Sequence, residues 1–346
     1  MLKVSLIVAT LGERPDDLRA LLYSLVPQVE FVSEVIVVDQ HSDFDRIPKL
    51  LKNFHDILPI RHTRSERGLS RARNHGLSFA TGDLVAFPDD DCAYPEGLLE
   101  WVVDWFHSNI EYDILAVGAR DAEGISSGNR WVQDSCEIRP LNAFRTTFSP
   151  SLFMCSDLAM SARFDTQLGV GSGTTYGSGE ETDFVLRLLG TPARGRFDRA
   201  RYIIHPRRDM LSGGASPSRA RAYGVGMGHV QRKNSLRPLW SSFLVYNVAR
   251  SAVAMLRGNW VGAKLCLAQT AGLWSGFHEP ASAPTQAATD LHIVRRRETA
   301  GGIESKIGQL PLRRSVELHE HPVHAAAADY YSNDELVESH VGSSTA

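Results

Sequence analysis

The sequence predicts an α/β protein: a mostly parallel sheet flanked by helices, with C-terminal amphipathic helices and a disordered tail. Two observations support the sheet. Short β-branched runs alternate with longer amphipathic segments over residues 3–120, and the strands are apolar along nearly their whole length. Such strands are buried on both faces, which is typical of parallel sheets covered by helices. These sheets bind ligands beyond the carboxyl ends of their strands.

Individual elements follow from the apolar periodicity and from the residues that break it. Pro15 precedes one helix and Pro95 opens another, a position that favours proline. Between residues 121 and 178 the signal weakens and Gly and Ser are frequent, so we predict mainly loops there. The predicted strands cover residues 3–10, 34–39, 58–63, 83–87, 113–120 and 201–206. The predicted helices cover residues 16–25, 69–80, 95–108, 180–189, 239–256 and 259–277.

Composition limits the class of protein. The chain has 346 residues, of which 43% are apolar and 22% charged, as in globular proteins. A net charge of −3 gives no support for nucleic-acid binding, but residues 187–237 hold twelve Lys or Arg against two acids, which suits an anionic partner. The four cysteines form no CxxC pair and the N-terminus is predicted to be a buried strand, so we expect a reduced, cytoplasmic protein without a signal peptide.

The C-terminal part differs from the rest of the chain. Arg250 and Lys264 interrupt its two apolar segments, so neither supplies the roughly 18–20 apolar residues of a spanning helix. Trp and basic residues over 239–277 suit a helix at a membrane interface, on the inner face. A helical pair that packs on the sheet or forms a dimer contact is an equal alternative. We divide the chain into a sheet domain, a helical region and a disordered tail, at residues 1–235, 236–280 and 281–346.

Acidic side chains follow two of the predicted strands. Asp89, Asp90 and Asp91 come directly after LVAFP, and an Asp-x-Asp pair there suits Mg²⁺ or Mn²⁺, which also binds substrate phosphates. The alternative is a turn with solvated acids, and the basic stretch downstream favours the metal. Asp39 ends VIVVD at the same edge and suits a ribose hydroxyl or a base N–H, with an Asx turn as the alternative.

Two further segments carry polar residues at predicted helix starts. Arg71 and Arg73 follow a flexible glycine in RGLSRARNHG, and arginines there suit a phosphate or an acidic side chain. Surface ion pairs are the alternative. Glu180, Glu181 and Asp183 form the first turn of EETDFVLRLL, where acids complement the helix dipole. One of these acids, facing the crevice, could act as a general base.

His205, at the end of RYIIHP, is a further candidate ligand. An imidazole beside a carboxylate-bound metal is favoured chiefly when the cation is Mn²⁺. The alternative for this residue is an ordinary packed or exposed histidine.

Five segments in this order and spacing resemble the family 2 inverting glycosyltransferases with the GT-A fold: VSLIVATLGER, VIVVDQHS, GLSRARNHGL, ATGDLVAFPDDDCAYPEGL and SGEETDFVLRLL. The similarity covers residues 3–206. It implies a nucleotide-sugar donor in the crevice and a divalent cation, Mg²⁺ or Mn²⁺, bridging the donor diphosphate. It further implies a glycan or lipid-linked acceptor, in the setting of bacterial polysaccharide assembly.

The resemblance also implies roles for the matched residues. Thr10 and Arg14 match the turn that meets the nucleotide, and Asp39 matches the acid that recognises the base or ribose. Glu181 matches the second position of the Glu-Asp pair that carries the catalytic base, but this chain has Glu-Glu there, and Glu180 or Asp183 are alternatives. The predicted donor site comprises Thr10, Arg14, Asp39, Arg71, Arg73, Asp89 and Asp90. The predicted metal ligands are Asp91, Asp89 and His205.

Other functions fit the sequence less well. GxGxxG after the first strand, which a nicotinamide enzyme needs, is missing, and so is the GxSxG of a serine hydrolase. A sugar nucleotidyltransferase would carry a Gly-rich loop with a basic residue after the first strand, and LGERPDD has one glycine. A non-catalytic nucleotide-sugar-binding or scaffold protein of the same fold is the remaining alternative.

Overall fold

A computed structural model describes residues 1–128, 131–207 and 216–278 of the chain. Over these residues, eight strands form a single sheet. The strands are β1 (Val4–Thr10), β2 (Val32–Asp39), β3 (Ile60–Arg64), β4 (Leu84–Ala86), β5 (Ile114–Arg120), β6 (Cys136–Ile138), β7 (Leu152–Cys155) and β8 (Gly195–Ile204). The helices are α1 (Pro15–Leu25), α2 (Arg46–Leu51), α3 (Leu69–Leu77), α4 (Leu98–Ser108), α5 (Ala143–Thr146), α6 (Ser156–Met160), α7 (Glu180–Leu189), α8 (Pro217–Lys233), α9 (Arg237–Leu256) and α10 (Trp260–His278).

The sheet is mostly parallel, with the strand order β3-β2-β1-β4-β7-β5-β8-β6. Strands β1 to β4 pair in parallel with one another, as do β5 and β8. Strand β7 pairs antiparallel with both β4 and β5, and β6 pairs antiparallel with β8. The predicted mostly parallel sheet flanked by helices is therefore confirmed, and the carboxyl ends of β1, β2, β4, β5 and β8 lie at one edge.

The core lies on both faces of the central strands. Every side chain of β2 from Val35 to Asp39 is buried, and so is every residue of β4. Helix α1 buries four leucines at helical spacing, as predicted. Phe87, Phe164 and Phe184 pack together just inside the carboxyl edge, with Phe164 stacked on Phe184 at a ring-centroid distance of 4.2 Å. These aromatic rings fix the start of α7 against the end of β4.

The region predicted as mainly loops, residues 121–178, contains β6, α5, β7 and α6. These elements are three to five residues long, which is too short for a periodic pattern to emerge. Helix α4 begins at Leu98 rather than at Pro95, because Gly97 adopts a left-handed conformation with φ of 76° and separates the proline from the helix. Helix α3 ends at Leu77, three residues earlier than predicted.

Helix α8 was not predicted, and its glycines explain why. Gly224, Gly226 and Gly228 disfavour an isolated helix, by about 1 kcal/mol each relative to alanine. In the fold they allow close approach. A Cβ atom on Gly228 would lie 2.3 Å from the carbonyl oxygen of Leu273 in α10. On α10, a Cβ on Gly276 would lie 2.0 Å from the carbonyl oxygen of Val225. Backbone-to-backbone packing therefore compensates for the poor helix propensity.

Replacing Gly228 by alanine is expected to destabilise the protein although alanine is the better helix former. The gain in propensity is about 1 kcal/mol. A methyl group 2.3 Å from a backbone oxygen forces the two helices apart, and overpacking of this kind costs about 1–3 kcal/mol or more. Chemical unfolding should give a lower midpoint for Gly228→Ala. The control is Ala271→Leu, which adds volume at an exposed position of α10 and should leave the midpoint unchanged. Equal unfolding midpoints for Gly228→Ala and the wild type would contradict the close packing of α8 on α10.

The two C-terminal helices form where the sequence places them. Helix α9 contacts the rest of the protein through Phe243, whose ring lies 5.7 Å from that of Phe144, and the indole N–H of Trp240 donates to the carbonyl oxygen of Leu273 at 3.2 Å. In residues 1–128, 131–207 and 216–278, no helix is both long and apolar enough to cross a bilayer. The tail predicted to be disordered, residues 281–346, lies outside the described residues.

Candidate active site

The carboxyl edge of the sheet brings the predicted site residues together. Thr10 at the end of β1 is the register partner of Asp39 at the end of β2. On the other side of β1, Ala9 forms a parallel bridge with Asp89, just past the end of β4. An antiparallel bridge between Ala93 and Ile204 then places the end of β8 beside the segment that follows the aspartates. The main chain itself thus carries these side chains to one edge of the sheet.

A network around Asp90 fixes the turn after β1. The hydroxyl of Thr10 donates to Asp90 Oδ2 at 2.6 Å, and the amide of Gly12 donates to the same hydroxyl at 2.9 Å. Arg14 donates to both Asp90 and Asp91. Burial raises the pKa of Asp90 to about 6, against the opposing effects of the Thr10 hydrogen bond and the Arg14 charge. Asp90 therefore holds the turn in place, while its two neighbours face the crevice edge.

Asp89, Asp91 and His205 are placed so that they could hold a cation together. One ligand atom from each of the three lies within 4.8 Å of the others. His205 Nε2 lies 3.6 Å from Asp91 Oδ1, and the two side chains form an ion pair only when the imidazole is protonated. The Nδ1 atom of His205 is buried without a hydrogen-bond partner among the described residues. Two carboxylates and one imidazole are the donors that Mn²⁺ accepts, and carboxylates alone suit Mg²⁺, so the residues present fit the predicted cation.

Arg73 joins the two acidic groups of the site. Its side chain is 2% exposed, donates to Asp89 Oδ1 at 3.1 Å and donates to Glu180 Oε1 at 3.2 Å. The guanidinium group thereby ties the end of β4 to the start of α7. Because it is buried and doubly paired, Arg73 neutralises part of the acidic charge at this edge of the sheet.

Helix α7 begins at a left-handed glycine, Gly179, with φ of 91°. Of the three acids in its first turn, Asp183 is fully buried and paired with Arg187 at 2.9 Å and with Lys233 at 3.0 Å. Glu180 is paired with Arg73. Glu181 has no ion-pair partner among the described residues and is half-buried. Its freedom from pairing separates it from the other two candidates for the base.

The surroundings of Glu181 favour its protonated form. Burial raises the pKa of Glu181 to about 8, and the nearby charges of Glu180 and Asp89 act in the same direction, while the Arg73 charge opposes them. A carboxylate with a pKa near the working pH is well matched to proton transfer. The structure therefore distinguishes one acid of the turn by both its pairing and its pKa.

Asp39 is held by residues that were not predicted from the sequence. Its fully buried carboxylate accepts from Arg64 at 2.6 Å and from the amide of His41 at 2.7 Å, and His62 Nε2 lies at 3.3 Å. Arg64 is the register partner of Asp39 on β3. The alternation of IRHTR puts His62 and Arg64 on one face of an edge strand. That this face meets Asp39 depends on the pairing of β3 with β2, which the local sequence does not show.

Breaking the Asp39–Arg64 pair is expected to reduce stability. Arg64→Ala leaves a buried carboxylate without its cation, and loss of one partner of a buried pair costs about 3–5 kcal/mol, which we reduce to about 1–3 because Arg64 is partly exposed. The double variant Asp39→Asn/Arg64→Ala should regain part of that loss. Chemical unfolding of the wild type, Arg64→Ala, Asp39→Asn and the double variant measures the coupling energy, and additive effects in this cycle would contradict the pair.

Arg71, predicted to belong to the donor site, forms hydrogen bonds with backbone oxygens. Its guanidinium donates to the carbonyl oxygens of Arg67 at 2.9 Å and Ser172 at 3.1 Å. The amide of Gly68, just before α3, donates to Gln40 Oε1 at 2.7 Å. Among the described acids none pairs with Arg71, so its charge is available to an anion.

Direct contacts or nearby charges connect most of the predicted site residues with one another: Thr10, Arg14, Arg73, Asp89, Asp90, Asp91, Glu180, Glu181 and His205. Asp183 lies in a separate ion-pair network.

The chain is similar to known proteins over this part. Residues 5–166 match the family described as Glycosyl transferase family 2. The Glucosyl-dolichyl phosphate glucuronosyltransferase of Haloferax volcanii is 35% identical over 121 residues, which are 34% of this chain and 37% of that protein. The Minor teichoic acid biosynthesis protein GgaB of Bacillus subtilis is 32% identical over 30% of this chain and 12% of its own length. An uncharacterized glycosyltransferase of Haemophilus influenzae is matched over 60% of its length, so the chain spans only part of these relatives.

Solved structures agree in fold. The mannosyltransferase PcManGT from Pyrobaculum calidifontis, in complex with GDP-Man and Mn²⁺, superposes with a TM-score of 0.54 at 15% identity, over 80% of this chain and 87% of that one. Residues 1–349 of S. aureus TarS superpose with a TM-score of 0.50 at 17% identity, over 79% and 91% of the two chains. At these identities the similarity concerns the fold, and the predicted GT-A fold is confirmed.

Proposed function

Because residues 5–166 match glycosyl transferase family 2, we propose that this chain is a glycosyltransferase of that family and that it is metal-dependent and inverting. The donor is a nucleotide sugar, and the acceptor is a hydroxyl of a glycan or of a lipid-linked glycan in bacterial polysaccharide assembly. The observation that carries the proposal is the convergence of Asp89, Asp91 and His205 within 4.8 Å, at the edge where Glu181 lies.

The metal and donor parts of the site are assigned as follows. Asp89, Asp91 and His205 would hold Mg²⁺ or Mn²⁺, and the bound cation would neutralise charge on the departing nucleoside diphosphate. Arg73 and Arg71 supply positive charge at the same edge, and Arg14 orients Asp91. The GDP-Man and Mn²⁺ bound by PcManGT support a nucleotide-sugar donor and a divalent cation for this fold.

The base is assigned to Glu181. In this role its carboxylate takes the proton of the acceptor hydroxyl as the hydroxyl oxygen attacks the anomeric carbon from the face opposite the leaving group. A single displacement inverts the anomeric configuration and needs no covalent intermediate. Glu180 is less suited because Arg73 occupies its carboxylate, and Asp183 is less suited because Arg187 and Lys233 hold it.

The acceptor and the setting are proposed from the relatives and the helical region. One relative is named for a dolichyl phosphate-linked substrate and another for teichoic acid biosynthesis, and both names describe phosphate-containing carriers or polymers. We include in the proposal a cytoplasmic location that is peripheral on the inner face of the membrane, with residues 239–277 in contact with it. The three-region division at residues 235 and 280 belongs to the same proposal.

Incubation of the full chain with a panel of nucleotide sugars and Mn²⁺ tests the function. Release of a nucleoside diphosphate that needs the metal and one particular donor is the expected result. Pyrophosphate release from a sugar phosphate and a nucleoside triphosphate would instead identify a nucleotidyltransferase. Donor binding without any turnover, with glycan and lipid-linked acceptors present, would favour the scaffold alternative.

A further inference from the structure

Helix α9 presents an apolar stripe to the outside. The exposed positions recur every three or four residues, so they lie along one face of the helix. Among them Val245 is 66% exposed, Val248 52% and Leu256 88%. The stripe comprises Val245, Val248, Ala249, Ala252, Val253 and Leu256. No contact within the described part of the chain covers this stripe, whereas the opposite face of α9 is buried through Phe243 and Asn247.

Helix α10 also exposes large apolar side chains. Trp260 is 63% exposed, Val261 59%, Leu267 46% and Trp274 54%. Leu256 and Trp260, both exposed, flank the turn between the helices, where Gly258 has a φ of 71°. We call residues 256–261 the hairpin tip. Exposed large apolar side chains so numerous in two neighbouring helices indicate an interaction site, because single exposed apolar residues are common but many in one region are not.

The charge of this region selects the partner. Residues 216–278 contain eight Lys or Arg and neither Asp nor Glu. Arg257 at the tip and Lys264 one turn into α10 are exposed, and Arg250 is half-buried beside the stripe. None of the described acids forms an ion pair with these three cations. The apolar surface is therefore rimmed by positive charge without compensating negative charge.

We infer that the α9–α10 hairpin docks on a membrane surface that contains anionic lipid, with the hairpin tip among the headgroups. Apolar side chains beside uncompensated cations match an interface between acyl chains and anionic headgroups. A second copy of this chain fits less well, because a two-fold contact would bring the same cations together. The helices lie on the surface and do not span it, in keeping with their apolar lengths.

This inference extends the peripheral location proposed above by naming the lipid charge and the residues that contact it. Each basic residue near an anionic surface strengthens binding about fivefold, and the aromatic and aliphatic side chains of the tip add an apolar term. The docked hairpin would hold the crevice near a lipid-linked acceptor. Vesicle binding is measured without donor or acceptor, so it fails or succeeds separately from sugar transfer.

Co-sedimentation of the full chain with vesicles tests the inference. Vesicles of phosphatidylcholine alone are compared with vesicles of phosphatidylcholine and phosphatidylglycerol in equal amounts. One variant removes apolar side chains of the tip (Leu256→Ser/Trp260→Ser), and one removes charge (Arg257→Gln/Lys264→Gln). Ile110→Ser and Lys52→Gln are matched controls, because both residues are exposed and lie outside the hairpin. Thermal unfolding checks that each variant is folded.

The wild type should bind the anionic vesicles, bind phosphatidylcholine at least about tenfold more weakly, and be released by salt. Each hairpin variant should lose about tenfold or more in partitioning, and the controls should match the wild type. Absence of vesicle binding, or hairpin variants that bind as the wild type does, would overturn the inference. A dimer that Leu256→Ser/Trp260→Ser converts to a monomer, without vesicle binding, would overturn it and assign the face to a second copy.

Discussion

Replacing Glu181 by glutamine is expected to lower the turnover number for sugar transfer by about 10²–10⁴-fold, the usual contribution of a general base. Glutamine has nearly the same size as glutamate, but its amide cannot take the proton of the acceptor hydroxyl. Donor binding should change little, because Glu181 is not among the proposed metal ligands and has no ion pair among the described residues. The measurement is steady-state release of nucleoside diphosphate, alongside the dissociation constant of the donor.

Two variants at this turn decide which acid is the base. Glu181→Asp keeps a carboxylate one methylene shorter, and we expect it to retain more activity than Glu181→Gln. Glu180→Gln should reduce donor affinity through Arg73, which it contacts at 3.2 Å, and leave the base in place. If Glu180→Gln abolished turnover with donor still bound, and Glu181→Gln remained active, the base would be Glu180.

The pH profile follows from the same residue. A base must be deprotonated to act, so activity rises with pH through its pKa, which for Glu181 is raised to about 8 by burial. The wild type should therefore gain activity from pH 6 to mildly alkaline pH, and the rise should be missing from the residual activity of Glu181→Gln. The contribution of Glu181 to the free energy of unfolding changes in the opposite direction, because it becomes less favourable as the pH rises. A carboxyl with a raised folded-state pKa costs stability above its unfolded value of 4.5, so Glu181→Gln should be the more stable protein at pH 8.

Asp91→Asn is expected to abolish stabilisation by Mn²⁺. A ligand that binds only the folded state raises the unfolding temperature, and saturation with metal should raise that of the wild type by several degrees. Asparagine removes the charge that the cation needs, and loss of a direct ligand should cost at least as much as loss of an outer partner, about 100-fold in metal affinity. The readout is thermal unfolding with and without Mn²⁺, which requires no knowledge of donor or acceptor.

The control for this experiment is Asp56→Asn, which removes an exposed carboxylate far along the chain from the ligand set. It should keep the full Mn²⁺ shift. His205→Ala should retain a part of the shift, because two carboxylates remain. An unchanged Mn²⁺ shift in Asp91→Asn would mean that the metal binds elsewhere.

The sequence predicted the parts of this molecule that are encoded locally. The strands ending at Thr10 and Asp39 are apolar throughout, and parallel pairing then fixes that their carboxyl ends share an edge. The position of the three aspartates follows from the strand before them. The ranking of Glu181 as the first candidate for the base also comes from a local resemblance, and it stays a prediction.

What the sequence did not predict depends on contacts between distant segments. Lys233 reaches Asp183 across fifty positions, and Arg64 is opposite Asp39 only because β3 joins the sheet at its edge. Helix α8 forms although its glycines disfavour a helix, because these glycines allow its backbone to pack closely against that of α10. Each of these features depends on a second segment that is distant in the sequence, so a local sequence pattern does not predict it.

The most direct test of the central claim is calorimetric titration of UDP, GDP and dTDP into the wild-type protein, with and without Mn²⁺. We expect that one of these nucleotides binds, that Mn²⁺ strengthens its binding at least about tenfold, and that Asp91→Asn removes the metal dependence. Absence of binding by all three nucleotides with Mn²⁺ present, or equal affinity with and without the metal, would contradict the metal-dependent donor site.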